Sequence, residues 1–158
     1  MTAAETIGGL AVRHPRTLDE PILRLLRAQN VCVINTFGAD EVIHSRVVWV
    51  DTDGTDVLVN SVEGRVWVGD LDRNPNVTCT VVNLSNPYEF VSIEGTLVER
   101  SGDGATEHID VLAQKYLGLE RYPFHSETEP RLLLRIRPER ILHVAPEAAA
   151  VGGPSDPG

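Results

Sequence analysis

Polar and cationic side chains are concentrated in one stretch of the chain. Ser45 and Arg46 lie within a run of β-branched residues. Asn60, Ser61 and Arg65 lie where a second such run gives way to a helical pattern. Because the first turn of a helix offers free backbone amides and a positive dipole, this arrangement predicts a phosphate or carboxylate site. Alternatively, the two arginines are solvated surface charges, and Asn60 and Ser61 only cap the helix.

Other local motifs of catalysis are absent from the sequence. It contains no GxGxxG, no P-loop, no GxSxG and no Cys/His pair at metal-ligand spacing, so no metal site is predicted. The five histidines are scattered, and a lone histidine is more often a polar surface residue than a catalyst. His44 is the best candidate among them. Cys32 and Cys79 each lie in an apolar run and are predicted to be buried structural residues.

The charge and hydropathy of the chain limit its partners. The formal net charge is -9, and such a field repels a nucleic acid unless basic residues are gathered locally. No apolar run approaches the roughly 20 residues of a membrane-spanning helix, and residues 1–10 lack the features of a signal peptide. We therefore expect a cytoplasmic protein with a small-molecule substrate, and no nucleic-acid or membrane partner.

Six strands are predicted from short β-branched runs that are separated by turn signals. They cover residues 31–34, 42–50, 57–59, 77–81 and 89–100, and a last strand formed by 132–136 and 141–144. Pro138 interrupts the last strand and predicts an edge position, a bulge or a break there, because proline cannot donate a hydrogen bond to a neighbouring strand.

Three helices accompany these strands. Thr17 to Glu20 fits a capping box and predicts a helix over residues 17–29. A change of period predicts a second helix over 63–73, and an apolar stripe over 109–117 predicts a third that ends before Gly118. Three helices are too few to alternate with six strands, which favours a closed or partly closed antiparallel barrel over a doubly wound sheet.

The chain of 158 residues suits one domain with a substantial hydrophobic core. Residues 17–146 are predicted to form this domain, and residues 1–16 an N-terminal arm. Residues 147–158 are rich in Ala, Gly, Pro and Ser and are predicted to be a disordered tail, since they bury too little apolar surface to fold.

Several short stretches also carry a family resemblance: Ile43–Trp49, Val59–Trp67 with Asn74-Pro75, Asn86–Glu89 and Lys115–Gly118. Their order and spacing resemble the pyridoxamine-phosphate-oxidase-like superfamily, and most closely its actinobacterial branch of enzymes that use the deazaflavin coenzyme F420. The resemblance covers about residues 20–145. It implies an α+β fold, mainly antiparallel, in which a six-stranded split β-barrel of the FMN-binding type is flanked by helices.

The resemblance also implies a cofactor site. Members of this family are typically homodimers, and the planar ring of the cofactor lies in a groove between subunits. The implied contacts are Ser45, Arg46 and Val47 at the ring edge, Asn60, Ser61 and Arg65 at the phosphate, and Tyr88 from the other subunit. In such enzymes the cofactor carries the hydride, so no catalytic acid or base is assigned.

The sequence departs from the family pattern near the implied phosphate site. Trp67 stands where the family has a lysine, and Gly69, Asp70 and Asp72 replace further basic or amide residues. Lost cations and added acids weaken the hold on a phosphate. Trp67 is a candidate to stack on the cofactor ring or to pack at the interface, although an indole beside Leu71 on a helix more often belongs to the core.

Three functions are compatible with these features. The first is an oxidoreductase that uses F420 to transfer a hydride to a small conjugated acceptor. The second keeps the fold and uses FMN, whose shorter phosphate tail needs fewer cations. The third is a non-enzymatic dimeric binding module whose cofactor site has decayed, and the residues at positions 67, 70 and 72 motivate it.

Overall fold

One antiparallel sheet dominates the part of the chain that this computed structural model describes, residues 5–147. The strands of this part are β1 (Glu5–Ile7), β2 (Leu10–Arg13), β3 (Val31–Phe37), β4 (Ile43–Trp49), β5 (Asp51–Thr52), β6 (Val57–Val62), β7 (Asn76–Val82), β8 (Phe90–Ser101) and β9 (Arg131–Pro146). The helices are α1 (Glu20–Arg27), α2 (Val66–Arg73) and α3 (Ala105–Leu117), and a 3-10 turn covers Ala39–Glu41.

The sheet curves into two halves that share β9. Neighbouring strands follow the order β1-β2-β9-β8-β7-β3-β4, and β6 pairs separately with β9 and with β5. β4 and β6 approach each other but are not hydrogen-bonded as neighbouring strands. The barrel is therefore closed on the β9 side and open between β4 and β6.

The core lies between the sheet and the helices α1 and α2. Alternate residues of β3, β7 and β8 are buried, as expected for strands with one face packed. Ile22, Leu25 and Leu26 of α1 pack against them, which confirms the predicted apolar face of this helix. Cys32 and Cys79 are both fully buried free cysteines, as predicted.

The predicted start of α1 and the predicted end of α3 have different outcomes. The predicted capping box is wrong: α1 begins at Glu20 after an N-cap at Asp19, and the Asp19 carboxylate pairs with Arg13 of β2 at 2.8 Å. α3 ends as predicted at Gly118, which adopts a left-handed conformation with φ of 71°. None of the helices between residues 5 and 147 is long and apolar enough to cross a membrane.

The strands differ from the prediction at both ends of the sheet. The predicted N-terminal arm contains the β1–β2 hairpin, and β2 pairs with β9. β9 is one continuous strand, and a shift in its register with β8 accommodates Pro138 opposite Gly95, which agrees with a bulge, one of the predicted alternatives at this proline. Glu147, the first residue of the predicted tail, donates its backbone N–H to the Gly9 carbonyl at 2.9 Å. Residues 148–158 of that tail lie outside the described residues.

Candidate functional site

A cavity of about 230 Å³ lies at the opening of the barrel between β4 and β6. It is lined by Val47, Val48, Trp49, Asn60, Ile109, Leu112, Tyr122 and Arg131. These residues come from β4, β6, α3, the start of β9 and the loop before it. The cavity is therefore built where the two halves of the sheet and α3 meet.

Aromatic side chains form one wall of the cavity. The Trp49 indole stacks on the Tyr116 ring, with centroids 5.2 Å apart and planes inclined by 7°. Its other neighbour is Tyr122, whose ring stands at 88° with its centroid 6.1 Å away. The Tyr116 hydroxyl donates to the Asn30 carbonyl and accepts the Val50 N–H at 3.2 Å. Burial raises the pKa of Tyr116 to about 12, so this hydroxyl stays protonated and holds the wall in place.

A half-buried arginine forms the polar side of the cavity. The Arg131 Nε donates to Asn60 Oδ1 at 2.7 Å, and the guanidinium carbon lies 5.2 Å from the centroid of the Tyr122 ring. Arg131 forms no salt bridge with a carboxylate of residues 5–147. Burial and the nearby charge of Arg65 lower the pKa of Arg131, although Tyr122 and Glu129 offset part of this effect. The site thus holds two mutually repelling cations, an arrangement that an anion would stabilise.

Asn60 positions these polar groups. Its Nδ2 donates to the Ala105 carbonyl at 2.8 Å and lies 3.2 Å from His108 Nδ1. The other ring nitrogen of His108 lies 3.2 Å from Asp51 Oδ2. Both polar atoms of the amide are therefore engaged within the protein. Asn60 does not cap α2, and it orients Arg131 at the cavity wall.

The other residues of the predicted anion site lie around the cavity. Arg65 is the N-cap residue of α2 and is exposed, and Ser61 is buried at the end of β6. On β4, Val47 lines the cavity with 68% of its surface exposed. Arg46 is exposed and donates Nη1 to the Ser45 carbonyl at 2.8 Å. The structure therefore brings Val47 and Asn60 into the cavity, and Arg65 into electrostatic range of Arg131.

Two predicted cofactor residues lie elsewhere. Trp67 is only 5% exposed and belongs to the hydrophobic core, so its indole has no free face for a cofactor ring. Of the alternatives for Trp67, the structure shows the one in which its indole belongs to the core. Tyr88 lies in the loop between β7 and β8, is 71% exposed, and is not among the residues that line the cavity.

The two acids of α2 face partners within the fold. Asp70 is buried and accepts hydrogen bonds from Thr36 Oγ1 at 2.9 Å and from His44 Nδ1 at 2.6 Å. Burial raises the pKa of Asp70, but the His44 and Thr36 hydrogen bonds outweigh it, so the pKa is lowered overall. Asp72 pairs with Arg100 at 2.8 Å. These contacts offset the repulsion that the sequence predicted between the acids and a bound phosphate.

Asp70→Asn is expected to lower the free energy of unfolding at pH 7 by about 1–3 kcal/mol, because it breaks charged hydrogen bonds to a buried group. The pKa of Asp70 in the folded protein lies below its ordinary 3.8. The ionised group therefore stabilises the fold above that pH, and this contribution is lost as the pH falls through the lowered pKa.

Urea unfolding between pH 3 and pH 7 measures both effects. Asp72→Asn is the matched control, because the Asp72 side chain is 72% exposed and an exposed ion pair contributes only about 0–1 kcal/mol. Equal stability changes for the two variants, or an unchanged pH profile for Asp70→Asn, would contradict the assignment.

The fold and the cavity together define a class of protein. It is an α+β protein whose antiparallel sheet forms a split β-barrel, with a cavity of about 230 Å³ at the split. The chain belongs to the pyridoxamine 5'-phosphate oxidase family, which it matches over residues 18–145. No curated protein matches the sequence.

Several solved structures share the fold. An F420 reductase is 19% identical, and the alignment covers 75% of this chain and 93% of that one with a TM-score of 0.68. General Stress Protein 26 from Bacillus anthracis is 17% identical, with coverage of 78% and 91% and a TM-score of 0.58. An FAD-binding protein from Mesorhizobium loti is 15% identical, with coverage of 84% and 96% and a TM-score of 0.59. These likenesses confirm the predicted fold class.

Sequence reasoning missed six of the eight residues that line the cavity, among them its aromatic and cationic members Trp49, Tyr122 and Arg131. Trp49 lies inside the stretch that carried the resemblance, and its alternation with Val47 was the available signal. Tyr122 and Arg131 lie in or beside a loop without periodicity, so nothing local marked them. Only the pairing of β9 with β6 places Arg131 beside Asn60.

Proposed function

We propose that this protein is an oxidoreductase that binds the deazaflavin coenzyme F420 and transfers a hydride to a small conjugated acceptor. The observation that carries the proposal is the half-buried Arg131 in the cavity wall, with Arg65 close enough to lower its pKa; neither arginine forms a salt bridge with a carboxylate of residues 5–147. An acidic protein that keeps two such cations together has a local site for an anionic ligand.

The residues present fit a planar cofactor with a phosphate. β4 ends the main run of paired strands, and Ser45, Arg46 and Val47 are exposed along it. Residues of this strand would hold the cofactor ring, and Arg65 with the free amides of the first turn of α2 would hold the phosphate. Bound F420 supplies the hydride chemistry, and the protein binds and orients it and limits access of water.

The proposal includes a homodimer. Apolar side chains are exposed beside the site: Ile43 at 60%, Val47 at 68% and Val66 at 62%. A second copy that covers them would exclude water from the cofactor and would bring its own Tyr88 to the site. Analytical ultracentrifugation of the full chain tests this assembly, and a monomer at micromolar concentration would contradict it.

Arg65→Glu is expected to raise the Kd for F420 at least tenfold, because it replaces an attractive charge at the phosphate with a repulsive one, a change of about 1.4 kcal/mol or more. The measurement is a titration followed by the fluorescence of the cofactor. Arg27→Glu is the matched control, because it makes the same charge change at an exposed position in the last turn of α1. Equal affinity in the two variants would sink the phosphate assignment.

The same titration decides between the three functions. Saturable binding of F420 supports the proposal. A protein that purifies yellow and binds FMN more tightly is instead an FMN-dependent oxidoreductase of this fold. Failure to bind either cofactor at high micromolar concentration would favour the third function, a non-enzymatic binding module.

A further inference from the structure

The guanidinium of Arg131 is fixed in position, and its outer edge is available to a ligand. Its Nε is held by Asn60 at 2.7 Å and its face lies over Tyr122, while its Nη atoms reach no carboxylate of the described chain within salt-bridge distance. A half-buried cation that forms no salt bridge is costly, because it loses hydration and is compensated only in part, here by Tyr122 and Glu129. Such a group marks a place where a ligand completes the structure.

The planar fork of a guanidinium matches a carboxylate, which it binds through two parallel N–H donors. Arg65, in contrast, is the exposed N-cap residue of α2, where the backbone amides of the first turn and the arginine charge suit a phosphate. The two arginines therefore serve different groups. The half-buried position of Arg131 favours the carboxylate, which is the smaller and more weakly hydrated of the two anions.

The other walls of the cavity are apolar and aromatic, and they favour a ligand whose remaining part is also apolar. Ile109 and Leu112 of α3 are buried and apolar, and Trp49 and Tyr122 present aromatic surface. The volume of about 230 Å³ lies below the roughly 300–1,000 Å³ of a drug-sized ligand site, so it accommodates about one ring with a short substituent. A flat, conjugated molecule fills such a space with little loss of internal freedom.

The aromatic wall is held in place by α3. Tyr122 is the one half-buried residue of the loop 118–130, in which the others are exposed. Asp110 of α3 accepts the Tyr122 N–H at 2.8 Å, and its same oxygen lies 2.8 Å from His125 Nε2. This double anchor keeps the Tyr122 ring over Arg131 before any ligand arrives. The site is therefore preorganised, which lowers the entropy lost on binding.

We propose that this cavity binds a conjugated carboxylate, with Arg131 paired to the carboxylate and the aromatic wall of Trp49 and Tyr122 in contact with the conjugated system. This ligand is the acceptor of the proposed oxidoreductase, and only that role rests on the proposed function. Binding itself requires neither cofactor nor turnover, so it can be measured separately.

The test is a titration of the full chain with cinnamate and with cinnamamide, its uncharged isostere, followed by isothermal titration calorimetry. Cinnamate is expected to bind at least tenfold more tightly than the amide. This comparison uses the unaltered protein, so it does not depend on the folding of any variant. Equal affinities for the acid and the amide would overturn the proposal.

Arg131→Gln is expected to abolish the preference for cinnamate and to leave the affinity for the amide within about threefold. Arg27→Gln, which removes an exposed arginine at the end of α1, is the matched control and keeps the preference. Far-UV circular dichroism tests whether both variants are folded. A preference that survives in Arg131→Gln would assign the carboxylate to another group and overturn the role of Arg131.

The outcomes separate this inference from the proposed function. Selective binding of cinnamate without any binding of F420 or FMN would retain the carboxylate site and reject the oxidoreductase. Binding of F420 without selectivity between acid and amide would retain the oxidoreductase and reject the carboxylate site.

Discussion

Trp67→Lys is expected to leave the protein largely unfolded, although it restores the lysine that the family pattern has at this position. The indole is 5% exposed and packs in the core with Val68 and Leu71. Removing a buried tryptophan destabilises a protein by about 3–5 kcal/mol, and placing an ammonium group there adds the cost of burying an unpaired charge. The sum is comparable with the roughly 5–15 kcal/mol that stabilises a typical domain.

Guanidinium unfolding followed by far-UV circular dichroism measures this effect. Trp67→Phe is the matched control, because it keeps an aromatic hydrocarbon in the core, and a loss of about 1–2 kcal/mol is expected. A folded Trp67→Lys variant that binds F420 more tightly than the parent protein would show that the position faces the cofactor, and the core assignment would then be wrong.

Gly95→Ala is expected to lower the free energy of unfolding by about 2–3 kcal/mol and the Tm by about 4–12 °C. A β-carbon at Gly95 would lie 2.7 Å from the Arg137 carbonyl oxygen and 2.8 Å from Ile136 Cγ2. The obstacle is backbone of the neighbouring strand, at the register shift between β8 and β9, so it cannot move aside without breaking strand pairing.

Gly69→Ala is the control for this substitution. Gly69 lies inside α2, and a β-carbon there would meet no atom within 4 Å apart from the backbone of its own helix. Alanine favours a helix interior over glycine by about 0.5–1 kcal/mol, so this variant is expected to be slightly more stable. Differential scanning calorimetry of both variants gives the comparison. A Tm for Gly95→Ala at or above that of the parent would contradict the close approach of β8 and β9.

Strands and helices with regularly spaced apolar residues could be predicted from the sequence, because the spacing of these residues indicates which face of the element is buried. The alternation along β3 and the apolar stripe that ends at Gly118 both have this form. The start of α1 could not be predicted in this way. Thr17 to Glu20 fits a capping box locally, but the Asp19 carboxylate is engaged by Arg13 across the turn, and sequence spacing does not reveal that contact.

The candidate site was less predictable, because its members come from distant parts of the chain. Arg65 and Asn60 were found through the strand-to-helix junction that they flank. Arg131 required knowledge of strand pairing, since 71 residues separate it from Asn60. The sequence predicts that the negative charge of Asp70 repels a bound phosphate. In the structure the Asp70 carboxylate instead accepts hydrogen bonds from His44 and Thr36.

The pairing of β9 also governs when this barrel can form during synthesis. β9 is the last of the described strands to leave the ribosome, and it supplies partners for β2, β6 and β8. Because sequence-distant pairings close only after the intervening chain is made, the earlier strands emerge with unsatisfied edges. We therefore expect nascent chains that stop before residue 131 to depend on chaperones, and the native barrel to appear only after that strand is released.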